Sequence, residues 1–278
     1  MKSSANKNFI KSVIILFFYA LSFQNVWGQY TGSGNFSKIN SVSELTNGYY
    51  VIAYGSTFAM NNTNAGTFFS NTAISPVSNV ISNPATSIVW KIESNINGGY
   101  TIYNEATQKY VSYTGTSNAS FAVSTISGAS ERWNVTYSAS LFVIANAATT
   151  SRILQYNTAS PRFACYTSGQ QNLTLYKLII PTWTGATSTD WNTASNWSPA
   201  AVPASTDNVI IPTTGITNFP VATSLTIASG STMTLNSNAR LTVNGTLTNN
   251  GTLTLESGAT LVQGTGNTVA GSGTFNVK

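Results

Sequence analysis

The sequence predicts an all-β chain in two parts, and three observations carry that prediction. Charged residues make up 7% of the 278 positions and aromatics 12%, against roughly 25% charged in an average soluble protein. Short runs of Val, Ile, Thr, Tyr and Phe are separated by Asn, Gly and Ser from residue 30 onward, which is the pattern of strands and turns. The texture then changes once, near residue 180, from an aromatic repeat to a Leu-Thr rhythm. Low charge with this many apolar runs is not the signature of disorder.

The first 28 residues read as a secretory signal peptide. Lys2, Lys7 and Lys11 form a basic stretch, Val13 to Phe23 is an apolar run, and Val26 to Gly28 supplies a small residue before Gln29. The run is too short for a membrane helix, which needs about 20 apolar residues, and it fits an export signal. Cleavage would remove three of the twelve Lys/Arg and none of the seven Asp/Glu, leaving 9 − 7 = +2. No polybasic patch of the kind nucleic acid requires remains. The expected location is extracellular or at the outer cell surface, with no membrane attachment after cleavage.

Residues 30–180 carry a threefold repeat. Trp90, Trp133 and Tyr176 recur at equal intervals, followed by Lys91-Ile92, Asn134-Val135 and Lys177-Leu178. Ahead of each lie three matching strands. In the first copy these are Tyr50–Ala53, Phe58–Met60 and Phe68–Ser70; in the second, Tyr100–Tyr103, Tyr110–Ser112 and Phe121–Val123; in the third, Phe142–Ala145, Ile153–Gln155 and Phe163–Cys165. Four strands recurring three times predict a β-trefoil, because one such unit cannot bury its apolar face alone and three can share a core. The recurring aromatics are then expected to fill the same core place in each lobe. An insertion over Asn71 to Ser87 lengthens the first copy. A β-sandwich with regular strand spacing is the alternative.

The segments GYYVIAYG, YTIYNEATQKYVSYTG and RILQYNTASPRFACYTSGQQNLTLYKL resemble a module of secreted multidomain proteins of Bacteroidetes. The threefold pattern is also similar to ricin-type lectin domains, and this resemblance implies a sugar-binding trefoil. Lectins of that type use an Asp with an aromatic platform and a Gln-x-Trp motif. Here the aromatics follow Val89, Arg132 and Leu175, and residues 30–178 contain no Asp. No ricin-type site therefore carries over residue by residue.

Residues 181–278 read as a Trp-rich cap and a parallel β-solenoid. After the linker Ile179–Thr182 come Trp183, Trp191 and Trp197 among Asp190, Asn192, Asn196 and Asp207, resembling the start of solenoid-like modules in bacterial surface proteins. Short strands then begin at Leu225, Met233, Leu241, Leu247, Leu253, Leu261 and Val269, with 22 residues from Leu225 to Leu247 and again to Val269. Three short strands per turn suit a solenoid, with Asn-Gly and Ser-Gly at the corners. A meander of hairpins is the alternative. The three tryptophans would cap the open end, or form a stacking platform. Asp190 and Asp207 are too few for calcium, which takes six to eight oxygens. The rhythm still runs at Phe275-Asn276-Val277, so the chain reads either as naturally short or as the front of a longer one.

Chemistry of the usual kinds has few residues to use. There is no His and one Cys, which removes the commonest general base, the Ser-His and Cys-His pairs and multi-Cys metal sites. Glu105 and Glu131 have no spacing that argues for a glycosidase pair. The reading is non-catalytic, with no cofactor and no metal. Sugar recognition needs aromatic faces beside amide or charged groups, and the turns of the lobes supply them: Asn61 and Asn62 in lobe one; Tyr103, Asn104, Glu105, Lys109 and Tyr113 in lobe two; Gln155, Tyr156, Asn157 and Arg162 in lobe three. The expectation is a secreted or cell-surface, lectin-like protein that binds an extracellular glycan through the trefoil, with the solenoid as stalk. The alternative is a ligand-free accessory part of a larger secreted hydrolase, nuclease or adhesin.

Overall fold

The computed structural model describes residues 30, 32–205, 207–213, 216, 218–264 and 267–278. The export-signal reading lies outside the described residues. The first part contains β1 (Asn35–Lys38), β2 (Gly48–Tyr54), β3 (Phe58–Asn64), β4 (Phe69–Ala73), β5 (Val80–Ser82), β6 (Val89–Ser94), β7 (Tyr100–Asn104), β8 (Lys109–Ser112), β9 (Phe121–Val123), β10 (Trp133–Ser138), β11 (Leu141–Asn146), β12 (Ile153–Asn157), β13 (Arg162–Tyr166) and β14 (Thr174–Leu178).

Six of these strands close a ring. β2 pairs with β6, β6 with β7, β7 with β10, β10 with β11, and β14 with β2. A bridge between Phe142 of β11 and Leu173 completes it. The hairpins β3–β4, β8–β9 and β12–β13 cover one end. They meet one another through the pair Phe69↔Phe163, Ser120 N–H to Thr67 O (2.8 Å) and Cys165 N–H to Ala119 O (3.0 Å). A six-strand ring capped by three hairpins is the β-trefoil arrangement, and its closure removes the free edges that a sandwich would keep.

The ring's core is apolar: Tyr50, Ile52, Trp90, Ile92, Ile102, Trp133, Phe142, Ile144, Leu173 and Leu175 all belong to it. Each buried indole spends its N–H on a hairpin carbonyl, Trp90 on Met60 O (2.9 Å) and Trp133 on Val111 O (3.1 Å). This is how a large polar-edged ring is buried without penalty.

The third copy corrects the sequence alignment. Trp90 lies opposite Tyr50, Trp133 opposite Tyr100, and Leu173 opposite Phe142. The threefold mate of the two tryptophans is therefore Leu173, not Tyr176. Tyr176 is also buried, but in a second layer outside the ring with Phe36, Tyr49, Val51, Ala53, Ala59, Ile81 and Leu178. The physical reason is strand alternation: three residues from an inward position is an outward one. An aromatic can occupy the outward position because β1 and the insertion bearing β5 cover that face, β1 pairing with both β5 and β14.

The second part contains β15 (Thr182–Trp183), β16 (Trp197–Ser198), β17 (Val209–Ile211), β18 (Val221–Ala222), β19 (Leu225–Ile227), β20 (Thr232–Leu235), β21 (Arg240–Val243), β22 (Leu247–Asn249), β23 (Thr252–Leu255), β24 (Thr260–Gln263), β25 (Val269–Ala270) and β26 (Thr274–Val277). Three sheets are visited in rotation: β17–β20–β23–β26, β18–β21–β24 and β19–β22–β25. All of these pairings are parallel, and Leu225 lies on Leu247 and Leu247 on Val269. Inward Leu, Ile, Val and Met make a second core, and outward Thr alternates with it. At the start, Trp183, Trp191 and Trp197 are buried against one another, with Trp191–Trp197 centroids 4.6 Å apart and Trp183–Trp197 5.0 Å apart. The buried Asn196 side chain pins the loop around them, donating to Ser188 Oγ and Asp190 O and accepting from Thr187 N and Ser188 N.

Candidate functional site

The side chains with the freest chemistry lie on the outer face of lobe two. Pairing across five strands aligns Tyr49 with Lys91, Lys91 with Tyr103, Tyr103 with Tyr110, and Tyr110 with Val123. Residues so paired share a face. Tyr103 and Tyr110 are half-buried, with ring centroids 4.6 Å apart at 43°. Lys91 Nζ holds Glu93 Oε1 at 2.9 Å beside them. Burial raises the Tyr110 phenol above its ordinary value; Tyr103 and Glu93 add to that and Lys91 opposes it.

Glu105 ends the row. Its Oε1 accepts the Tyr49 hydroxyl at 2.7 Å, and its Oε2 is buried with no partner. Burial first, then the Glu105 contact, pushes the Tyr49 phenol well up, so Tyr49 stays protonated and donates. A cavity of about 110 Å³ lies against this carboxylate, walled by Tyr30, Tyr49, Thr86, Val89 and Ala106. The face thus offers an aromatic ledge and a cation–carboxylate pair, while the buried Glu105 Oε2 lies at the small cavity, which the ledge rings do not line. The face can hold the C–H side of a ring and receive hydroxyl donors.

The other lobes lack this face. The row equivalent to Tyr103–Tyr110–Val123 is Ala53–Ala59–Thr72 in lobe one and Ala145–Ile153–Tyr166 in lobe three. Ala53 and Ala59 are fully buried in the layer that contains Ile81 of the insertion and Ile88 just after it. Lobe one has filled its own outer face.

The eleven residues singled out from sequence separate into groups. Tyr103 and Glu105 belong to the row, and Lys109 lies alongside, donating to Ser124 Oγ at 2.6 Å. Asn62 donates to Asn104 Oδ1 (3.0 Å), and Asn104, fully buried, also donates to Thr86 O and Val89 O and accepts from Thr107. Asn61 donates to Thr72 Oγ1 and accepts from Thr63 N. Tyr113 is fully buried, its hydroxyl shared between Gly115 O and Ser117 O, with the Arg152 guanidinium over its ring. Tyr156 is buried and stacked on Tyr54 (4.8 Å) and near Phe58 (5.7 Å). Gln155 donates to Gln170 O and Asn172 Oδ1, and its buried Oε1 has no partner. Asn157 accepts two turn N–H groups, and Arg162 donates to Tyr166 Oη and lies over Phe68. The structure does not bring the lobe-three residues to the lobe-two row.

Sequence reasoning missed Tyr49, Lys91, Glu93 and Tyr110. The signal was present: Tyr110 sits across a short turn from Tyr103, and strand alternation puts Lys91 and Glu93 on one side of β6. Glu131 lies elsewhere, 3% exposed, with its carboxylate taken by Ser112, Ser127 and Gly128. Among the described residues no group of three or more His, Cys, Asp or Glu could hold a metal ion, and no helix is long and apolar enough to cross a membrane.

Ring and row together define a β-trefoil with one open aromatic face, joined to a parallel three-sheet winding. Residues 182–278 match the family described as "Domain of unknown function (DUF8693)". No curated protein matches the chain. Among solved structures it is similar to the GlcNAcα1-4Gal releasing endo-β-galactosidase from Clostridium perfringens (12% identity, TM-score 0.40, 48% of this chain and 33% of that one). It is also similar to the Polyporus squamosus lectin (16%, 0.39, 48% and 50%) and to the designed threefold-symmetric protein ThreeFoil (14%, 0.37, 47% and 99%). The matched region spans a third of the galactosidase and half of the Polyporus lectin.

Proposed function

We propose that the protein is an exported, non-catalytic glycan-binding protein that engages its ligand on the outer face of lobe two. The observation that supports this most directly is the Tyr103–Tyr110 ledge with Glu105 at its end. A pyranose has an apolar C–H face and a rim of hydroxyls, and this face matches it with rings and an acceptor. In this reading the parallel winding is a β-solenoid stalk that holds the trefoil away from its anchorage, and the buried tryptophans cap it.

A glycan array probed with the full chain tests the reading, followed by titration of the best ligand against Tyr110→Ala and Glu105→Gln. Each substitution is expected to weaken binding about tenfold or more, equivalent to loss of about 1.4 kcal/mol. Absence of binding to any glycan at millimolar concentration would overturn it.

A further inference from the structure

A second site lies in the other half of the molecule. A cavity of about 200 Å³ opens beside the tryptophan cap, below the roughly 300–1,000 Å³ of drug-sized pockets. Its apolar walls include Trp191 and Met233, and its polar walls include Asn192, Asp207, Ser224 and Thr226.

The indole hydrogen bonds single this place out. Of the five tryptophans among the described residues, four donate their N–H to a backbone carbonyl: Trp90 to Met60, Trp133 to Val111, Trp183 to Asn218 and Trp197 to Trp191. Trp191 is only 5% exposed, and its N–H has no acceptor among the described residues, yet it is not one of the buried unpartnered atoms and so keeps access to solvent. This residue borders the cavity. Asp207 is the second observation. Its Oδ1 accepts from Asn35 Nδ2 (3.0 Å) and its Oδ2 from Ala204 N (2.9 Å). A carboxylate has about four acceptor sites, so each oxygen retains capacity. A ligand here must accept from an indole, donate to a carboxylate and lay carbon against Trp191 and Met233. A saturated ring with neighbouring hydroxyls does all three, since a hydroxyl both donates and accepts.

We infer that this cavity binds one pyranose ring, taken as a free sugar or as a unit of a polysaccharide chain. The site is independent of the lobe-two face, and it gives the domain of unknown function a ligand of its own.

The test is the indole region of the ¹⁵N–¹H spectrum of the labelled full chain. Trp191→Phe removes one cross-peak and so assigns it. Methyl α-D-glucopyranoside, methyl β-D-galactopyranoside and methyl α-D-mannopyranoside are added to about 100 mM, well above millimolar dissociation constants. A saturable shift of the Trp191 peak with at least one glycoside is expected. That shift should persist in Glu105→Gln, which separates it from the trefoil site. Asp207→Asn should weaken it about tenfold. Asn192→Ala, at an exposed position that leaves the other indole peaks in place, should weaken it severalfold. Dextran, galactan or mannan that shifts the same peak would assign the source as a chain; response to the glycosides alone would assign it as free sugar. No saturable shift with any of the six carbohydrates would overturn the inference. So would an equal shift with glycerol at matched hydroxyl concentration.

Discussion

Glu131 is buried beneath the turn that precedes β10, where its carboxylate takes the N–H groups of Ser127 and Gly128 and the hydroxyls of Ser127 and Ser112. Burial acts to raise its pKa, but the hydrogen bonds outweigh it and hold the carboxyl below its ordinary value of 4.5. A depressed folded-state pKa contributes stability that is present above the unfolded value and lost as pH falls through the folded one. Glu131→Gln should therefore lower stability by about 1–3 kcal/mol at neutral pH and flatten the acid limb of the denaturation curve below pH 4.5, as measured by urea midpoints across pH. Cys165 behaves oppositely. Burial pushes its thiol up to about 12, only partly offset by Ser120 and Arg152. A thiol that cannot ionise is a poor nucleophile, so iodoacetamide should leave native Cys165 unmodified and label it only in denaturant. Glu105 and Tyr103 were legible as candidates from sequence because carboxylates are scarce and aromatics sit beside turns. Asn104 and Tyr113 look identical to them in sequence, yet both are fully buried and saturated with internal partners. Side-chain direction at a turn is set by tertiary neighbours that a single sequence does not display.

At the scale of elements, the four-strand repeat was readable because each strand alternates and each turn is marked by Asn, Gly or Ser. Its phase in the third copy was not. Leu173 and Tyr176 are both apolar enough for the core, and pairing with Phe142 decides between them. What the sequence presents as a lengthened first copy has a structural job: the insertion pairs β5 to β1 and buries Ala53 and Ala59. Ile88→Ala should therefore cost about 2–4 kcal/mol by the usual large-to-small rule, although Ile88 lies outside the ring. Thermal unfolding measures that loss, while the glycan binding proposed for lobe two should be unchanged. In the winding, Gly251 marks a corner where the preceding turn's backbone comes very close: a Cβ there would run into the carbonyls of Ser231 and Ala228. Gly251→Ala should destabilise the second part by about 1–3 kcal/mol, as overpacking does, with the trefoil's unfolding transition unmoved.

Among the described residues the two parts keep separate cores: the ring core and its outer layer lie within residues 30–178, and another core lies among residues 183–253. Hydrogen bonds between the parts include Asn35 Nδ2 to Asp207 Oδ1 and Ser33 Oγ with Ser231 Oγ at 3.3 Å. Residues 30–180 expressed alone should therefore fold, with a near-ultraviolet circular dichroism spectrum showing ordered Trp90 and Trp133. The change of texture near residue 180 is visible in the sequence because the two halves bury different residues, aromatics in one and Leu-Thr alternation in the other. What joins them was not legible, because Asn35 and Asp207 are 172 positions apart and nothing local marks the pair.

The winding places Leu225 on Leu247 and Leu247 on Val269, so one turn presents nearly the same surface to its neighbour as the next. Such a body is modular: a turn can be duplicated or removed in one genetic event without a new core having to be found. Each added copy of a segment such as 225–246 would lengthen the winding by about 4.8 Å, the spacing between paired strands, and leave both of its ends unaltered. Length, for a domain built this way, is a quantity that can be adjusted in whole steps.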